Sequence, residues 1–165
     1  MDNFLKLLSK DRLDIFTEAQ FRSGINAIVL EKDFWVCWTL EKLFNNEELS
    51  DNMIFKGGTS LSKSYQLIDR FSEDCDLTIN RAILNIKDPS EANISNKEIQ
   101  RRIDILMINI KAYIRDFILP ILMNACHNSI NSAEKWNLEI DKDDQTILFS
   151  YPRVLNINTH DQYVK

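Results

Sequence analysis

Apolar positions change period along the chain, and each period predicts a kind of element. Leu13, Phe16 and Ala19 step by three and mark a first amphipathic helix, with Asp2 and Ser9 as candidate N-caps and Gly24 as a stop. From Ile28 to Phe44, Leu30, Phe34, Trp38 and Phe44 join Val36, Leu40 and Leu43, so this helix is apolar on more than one side and should be buried. Helices are therefore predicted over 3–45, followed by a polar connection from Asn45 to Asn52. Met53-Ile54-Phe55 is a short apolar run ending at Lys56-Gly57-Gly58-Thr59-Ser60; Leu61 to Ile68 then looks helical and Cys75 to Ile79 strand-like. Residues 53–79 thus read as strand, glycine turn, helix, strand. Arg81 to Asn93, with Pro89, is a predicted loop. Ser95 or Asn96 should cap a long helix over 97–128, where Ile99, Ile103, Leu106, Ile110, Ile114, Phe117 and Ile121 recur at steps of three and four. Pro120 should kink or divide it. Then the period drops to two. Trp136, Leu138 and Ile140, then Thr146 to Tyr151, predict a hairpin over 136–151 turning at Asp141 to Gln145, and Gln162 to Lys165 opens a further strand. The predicted class is α+β: a helix-rich N-terminus, one long central helix and a small sheet, in a single domain of 165 residues.

Charge and composition narrow the function. The net charge of −5 supplies no global positive field for nucleic acid, so such a substrate needs a local basic patch. Lys97, Arg101, Arg102, Lys111 and Arg115 lie off the apolar stripe of the long helix, as a solvated face or as an RNA contact. Cys37, Cys75 and Cys126 are far apart and odd in number, which suggests neither a disulfide framework nor a zinc site. No apolar stretch spans a membrane and no signal peptide is apparent, so a cytoplasmic location is expected. Glycine is scarce. There are 3, where average usage of about 7% would give roughly 12, and two of them are adjacent at Gly57-Gly58.

That pair stands close to the chemistry. Asp74 and Asp76 flank Cys75 on the predicted second strand, so alternation aims both carboxylates to one face and Cys75 to the other. Two adjacent carboxylates repel, and hard divalent cations resolve the repulsion with oxygen ligands. The glycine turn lets backbone approach a ligand, Thr59 and Ser60 add hydroxyls, and a following helix start favours anions. The bland alternatives are a solvated acidic pair and a plain strand-to-helix turn. Neither a Walker A loop nor a dinucleotide fingerprint is present.

Lys56-Gly57-Gly58-Thr59-Ser60-Leu61, followed by Arg70-Phe71-Ser72-Glu73-Asp74-Cys75-Asp76-Leu77, resembles the signature of the AbiEii/AbiGii nucleotidyltransferase toxins, within the DNA polymerase β-like nucleotidyltransferase superfamily. Glu31-Lys32-Asp33-Phe34-Trp35 is similar to a second motif of that family. The resemblance covers roughly residues 28–80 directly. It implies a nucleotidyltransferase-like mixed β-sheet with flanking helices. It also implies that Gly57, Gly58, Thr59 and Ser60 cradle nucleotide phosphates, that Asp74 and Asp76 are catalytic and bind Mg²⁺ or Mn²⁺, and that Lys63, Arg70 and Ser72 contact phosphate or position the acidic strand. Lys56 would support the site, and Glu31, Lys32 and Asp33 would buttress it or touch substrate; a solvated first helical turn is the plain alternative for these three.

The superfamily usually carries a third carboxylate on a later strand, and the chain ends at Tyr163-Val164-Lys165, before the point where the resemblance would place it. A nucleotidyltransferase core lacking a C-terminal part is therefore expected. Asp141, Asp143 and Asp144 are either a substitute acid or a turn of solvated charges. The implied activity is transfer of a nucleoside monophosphate from an NTP to a hydroxyl acceptor, tRNA or protein, by the toxin of a toxin–antitoxin or abortive-infection system with a cognate antitoxin. The competing readings are an NTP- and metal-binding module without turnover, and a structural or interaction protein.

Overall fold

The computed structural model describes residues 1–65, 67, 74–155 and 163–165. Helices α1 (Asp2–Leu5), α2 (Ser9–Ser23), α3 (Ala27–Phe44) and α4 (Glu47–Ser50) precede strand β1 (Met53–Phe55), helix α5 (Gly57–Lys63) and strand β2 (Leu77–Ile79). A 3₁₀ turn (Arg81–Leu84) leads to α6 (Asn96–Tyr113), which runs through a π-helical segment (Ile114–Ile118) into α7 (Leu119–Ser129); strands β3 (Asn137–Ile140) and β4 (Ile147–Ser150) follow. The class is α+β, and the central helix is 34 residues long.

Helix α3 forms where its apolar pattern predicts. Asn26 caps it by accepting the Ile28 N–H at 2.9 Å. Trp35, Val36 and Trp38 are buried at its centre. Trp35 stacks on Tyr151 at 5.5 Å and meets Phe149 edge-on at the same distance, so the helix packs directly on the hairpin. Ile114, Ile118, Leu122 and Cys126 complete this core from the long helix. Gly24 stops α2 in the left-handed region, φ +74°, as expected.

Several boundaries differ from expectation. Asp2 and Ser9 are not caps. Asp2 accepts from the Trp38 indole at 3.0 Å and from Lys42 at 2.7 Å, tying α1 to α3, and Ser9 donates to Glu134 at 3.3 Å. The connection after Asn45 contains α4, because Asn46 caps it at the Leu49 N–H and Leu49 is fully buried. A 3₁₀ turn also interrupts the predicted 81–93 loop, capped by Asn80. Helix α5 starts four residues earlier than expected and lasts only seven residues. The long helix starts at its Ser95 cap and is not broken at Pro120. That residue cannot donate a helical bond, and the turn before it widens so that the Leu119 N–H reaches back five residues to Ile114.

Strands β1 and β2 pair antiparallel, Met53 opposite Ile79 and Phe55 opposite Leu77. Strands β3 and β4 form the expected hairpin, Asn137 opposite Ser150. All strand pairings among the described residues are antiparallel. Val164 joins Phe149 in a single antiparallel bridge, and the Lys165 carbonyl accepts the Cys75 N–H at 2.7 Å. The last described residues thus link the hairpin to the acidic segment.

Candidate functional site

The site is built outward from β1. Its ladder continues one step past the strand, where the Lys56 N–H donates to the Asp76 carbonyl at 2.9 Å. Asp74, Cys75 and Asp76 therefore precede β2 rather than lying within it: the strand begins at Leu77, two residues later than expected. The alternation survives, with Asp74, Asp76 and Thr78 exposed and Cys75, Leu77 and Ile79 half-buried. Burial, reinforced by Cys37 and by the flanking Asp74 and Asp76, pushes the Cys75 thiol up to about 12. It stays neutral beneath the carboxylates and adds no charge to them.

Gly57 meets Asp76 directly. Its φ is +75°, and a Cβ on it would overlap the Asp76 carboxylate. A residue with a side chain would be strained in this conformation and would also displace the acid. Thr59 is completely buried, and its Oγ1 donates to the Asp74 carbonyl at 2.5 Å. Ser60 is buried beside it, whereas Lys56 and Gly57 are exposed and Gly58 half-exposed. The backbone of the turn is thus open to a ligand, and the Thr59 and Ser60 side chains face inward.

Lys63, at the far end of α5, forms an ion pair with Asp33 of α3, and the Cys37 thiol lies 3.9 Å from the same carboxylate. Burial works against the Lys63 ammonium, but Asp33 and Cys37 outweigh it and its pKa is raised. The second predicted motif therefore reaches the glycine helix through Asp33. Glu31 turns elsewhere. It is 3% exposed and accepts the Val154 and Leu155 N–H groups at 2.7 and 3.4 Å. Lys32 is buried as well, so the solvated-turn alternative for Glu31 and Lys32 does not hold. Arg70 and Ser72 lie outside the described residues.

A cleft of about 340 Å³ adjoins the acidic pair. Asp74 and Asp76 stand at one side; Ile114, Ile118 and Leu122 of the long helix and Ile147 and Phe149 of β4 line the rest. Thr39 also lines it, buried and with its hydroxyl unpartnered among the described residues. A single hydroxyl within an apolar helix carries no signal in the sequence, so only the fold brings this threonine to the cleft.

Three acids in the β3–β4 turn are spent locally. Asp143 accepts the Gln145 and Thr146 N–H groups, the Asp141 carboxylate accepts the Lys142 N–H, and Asp144 pairs with Lys111. Lys111 and the three arginines of the long helix are likewise matched. Arg101 pairs with Glu98 and Arg115 with Asp116, while Arg102 is buried between Glu91 and Glu98, contrary to the solvated face expected there.

Asp74 and Asp76 are different. Neither carboxylate has a hydrogen-bond or ion-pair partner among the described residues. Two exposed carboxylates two residues apart form a hard-oxygen donor set that fits a divalent cation. A family model described as nucleotidyl transferase AbiEii toxin, Type IV TA system, matches residues 38–165. The chain belongs to the AbiEii nucleotidyl transferase toxin family. No curated protein and no solved structure gives a match. In this AbiEii-family chain the matched range holds the glycine turn and the acidic pair, whereas Glu31, Lys32 and Asp33 precede it. Among the described residues, no helix is long and apolar enough to cross a membrane.

Proposed function

We propose that this chain is the core of a metal-dependent nucleotidyltransferase, moving a nucleoside monophosphate from an NTP to a hydroxyl of tRNA or of a protein. The observation that carries this reading is the direct packing of Asp76 on Gly57, which brings the acidic pair onto the glycine turn. Asp74 and Asp76 would hold Mg²⁺ or Mn²⁺, whose charge would offset that of a bound triphosphate and of the phosphoryl group in transfer. The open backbone of Gly57 and Gly58 would receive the phosphates, with Lys56 beside them at the surface. Thr59 and Ser60 would shape the turn from inside. Lys63, held by Asp33, would fix the far end of α5, and Arg70 and Ser72 would contact phosphate or position the acidic strand. The biological setting, by family, is a toxin opposed by a cognate antitoxin; its proposed place of action is the cytoplasm.

The test is label transfer from each of the four NTPs to tRNA or to total protein, with Mg²⁺ or Mn²⁺. Transfer that disappears in Asp74→Ala and Asp76→Ala supports the assignment. Transfer that persists unchanged in both variants rejects this active site. Stabilisation by NTP and metal without pyrophosphate release would instead make the chain a binding module.

A further inference from the structure

Resting on the metal-binding reading above, we infer that Thr59 is a positioning residue for the acidic pair, acting through the backbone of Asp74. Three observations meet here. Thr59 has no exposed surface, so its hydroxyl cannot reach a ligand in the open turn. That hydroxyl does not follow the usual helical habit of bonding a carbonyl one turn back. It crosses 15 residues to the Asp74 carbonyl at 2.5 Å. Meanwhile the Lys56 N–H holds the Asp76 carbonyl at 2.9 Å.

The peptide groups of both acids are thus pinned from one short stretch, residues 56–59, on either side of the bare Gly57. A carboxylate swings on its own χ angles, but its Cα is set by the backbone, and both Cα atoms are set by this clasp. On the other side, the Cys75 N–H is held by the Lys165 carbonyl. Of these three bonds only the one from Thr59 involves a side chain, so only it can be removed by substitution without altering the backbone. The β-branched Thr59 has few rotamers when buried, which keeps the hydroxyl aimed. Outer-shell groups that orient ligands typically change metal affinity by about 10–100-fold when removed.

The experiment is a Mn²⁺ titration of the whole chain, read by electron paramagnetic resonance of free Mn²⁺, with no nucleotide and no turnover required. Thr59→Val keeps the shape and removes the donor; Thr59→Ser keeps the donor. The expected result is Mn²⁺ affinity about 10-fold weaker in T59V and within about twofold of the parent in T59S. If T59V does not fold, T59A against T59S makes the same comparison. Asp74→Asn is the control for the underlying reading. Weaker binding in D74N with unchanged binding in T59V overturns the positioning role and leaves the metal site standing. Unchanged binding in D74N overturns the metal site, and the inference with it. Equal weakening in T59V and T59S shows that packing of the methyl, not the hydroxyl, matters, and also overturns the inference.

Discussion

The chain treats two groups of acids in opposite ways. Around α2 and the hairpin, Glu31 and Glu134 are drawn inside. Glu134 forms an ion pair with the buried Arg12, and Glu31 is spent on two backbone N–H groups. Beside α5, Asp74 and Asp76 are held, among the described residues, only by their backbone, and both residues are exposed. Buried charges need partners to persist, so the first group serves the fold. Exposed carboxylates without a partner among the described residues, over a turn that cannot tolerate a Cβ, fit the ligand-binding role proposed above.

The sharpest way to break this contrast is to remove one acid from each side. Asp74→Ala or Asp76→Ala should lower nucleotidyl transfer by at least about 10²-fold, the scale of losing an electrostatic stabiliser. The same variants should melt at or above the temperature of the parent, because a repulsion is relieved. A fall of several degrees would place these acids with the structural group. Glu134→Ala should do the reverse. It leaves the Arg12 guanidinium buried without its partner, at a cost of about 3 kcal/mol in denaturant unfolding. Transfer by the fraction that remains folded should be unchanged.

The glycines sharpen the contrast on a smaller scale. Gly24 and Gly57 share a positive φ, +74° and +75°, but only Gly57 faces an obstacle. Gly24→Ala meets open space and should cost about 1 kcal/mol of backbone strain, with activity intact. Gly57→Ala carries the same strain and also drives a methyl into the Asp76 carboxylate. It should abolish transfer and Mn²⁺ binding at a stability cost of about 1–2 kcal/mol. Equal activity in the two variants would mean that the contact between Gly57 and Asp76 has no functional role.

This pair also shows what could be read from sequence and what could not. The order strand, glycine turn, helix, acidic segment was legible because each part has a local signature: an apolar run, two adjacent glycines in a glycine-poor chain, and alternating charge. The long helix and the hairpin were legible from period alone. The fates of Thr59 and Glu31 were not. Thr59 beside two glycines looks like a phosphate donor until a bond across 15 residues takes its hydroxyl. Glu31 and Lys32 in a run of three charges look solvated until the 151–155 segment folds over α3. Both depend on contacts between segments far apart in the chain, which neither spacing nor period encodes. The π-helical turn before Pro120 belongs with them, since proline announces a disturbance in a helix but not how neighbouring turns absorb it.

The smallest effect tests the buried side through its protons. Burial raises the Glu31 pKa from its ordinary value of 4.5, against the opposing pull of the Val154 and Leu155 N–H groups, Arg12 and Arg153. Between the ordinary and the raised value the folded chain binds more protons at this carboxyl than the unfolded chain does. Stability contributed by Glu31 is therefore complete below the ordinary value and is lost as pH rises through the raised one. Glu31→Gln cannot ionise, so it should lack this loss. The melting temperature of E31Q relative to the parent should rise with pH across that window. A difference that falls with pH would show that the two arginines hold the carboxylate more strongly than burial opposes it. Glu31 would then be a stabilising charge, and the contrast with the exposed Asp74 and Asp76 would rest on ion pairing rather than on burial.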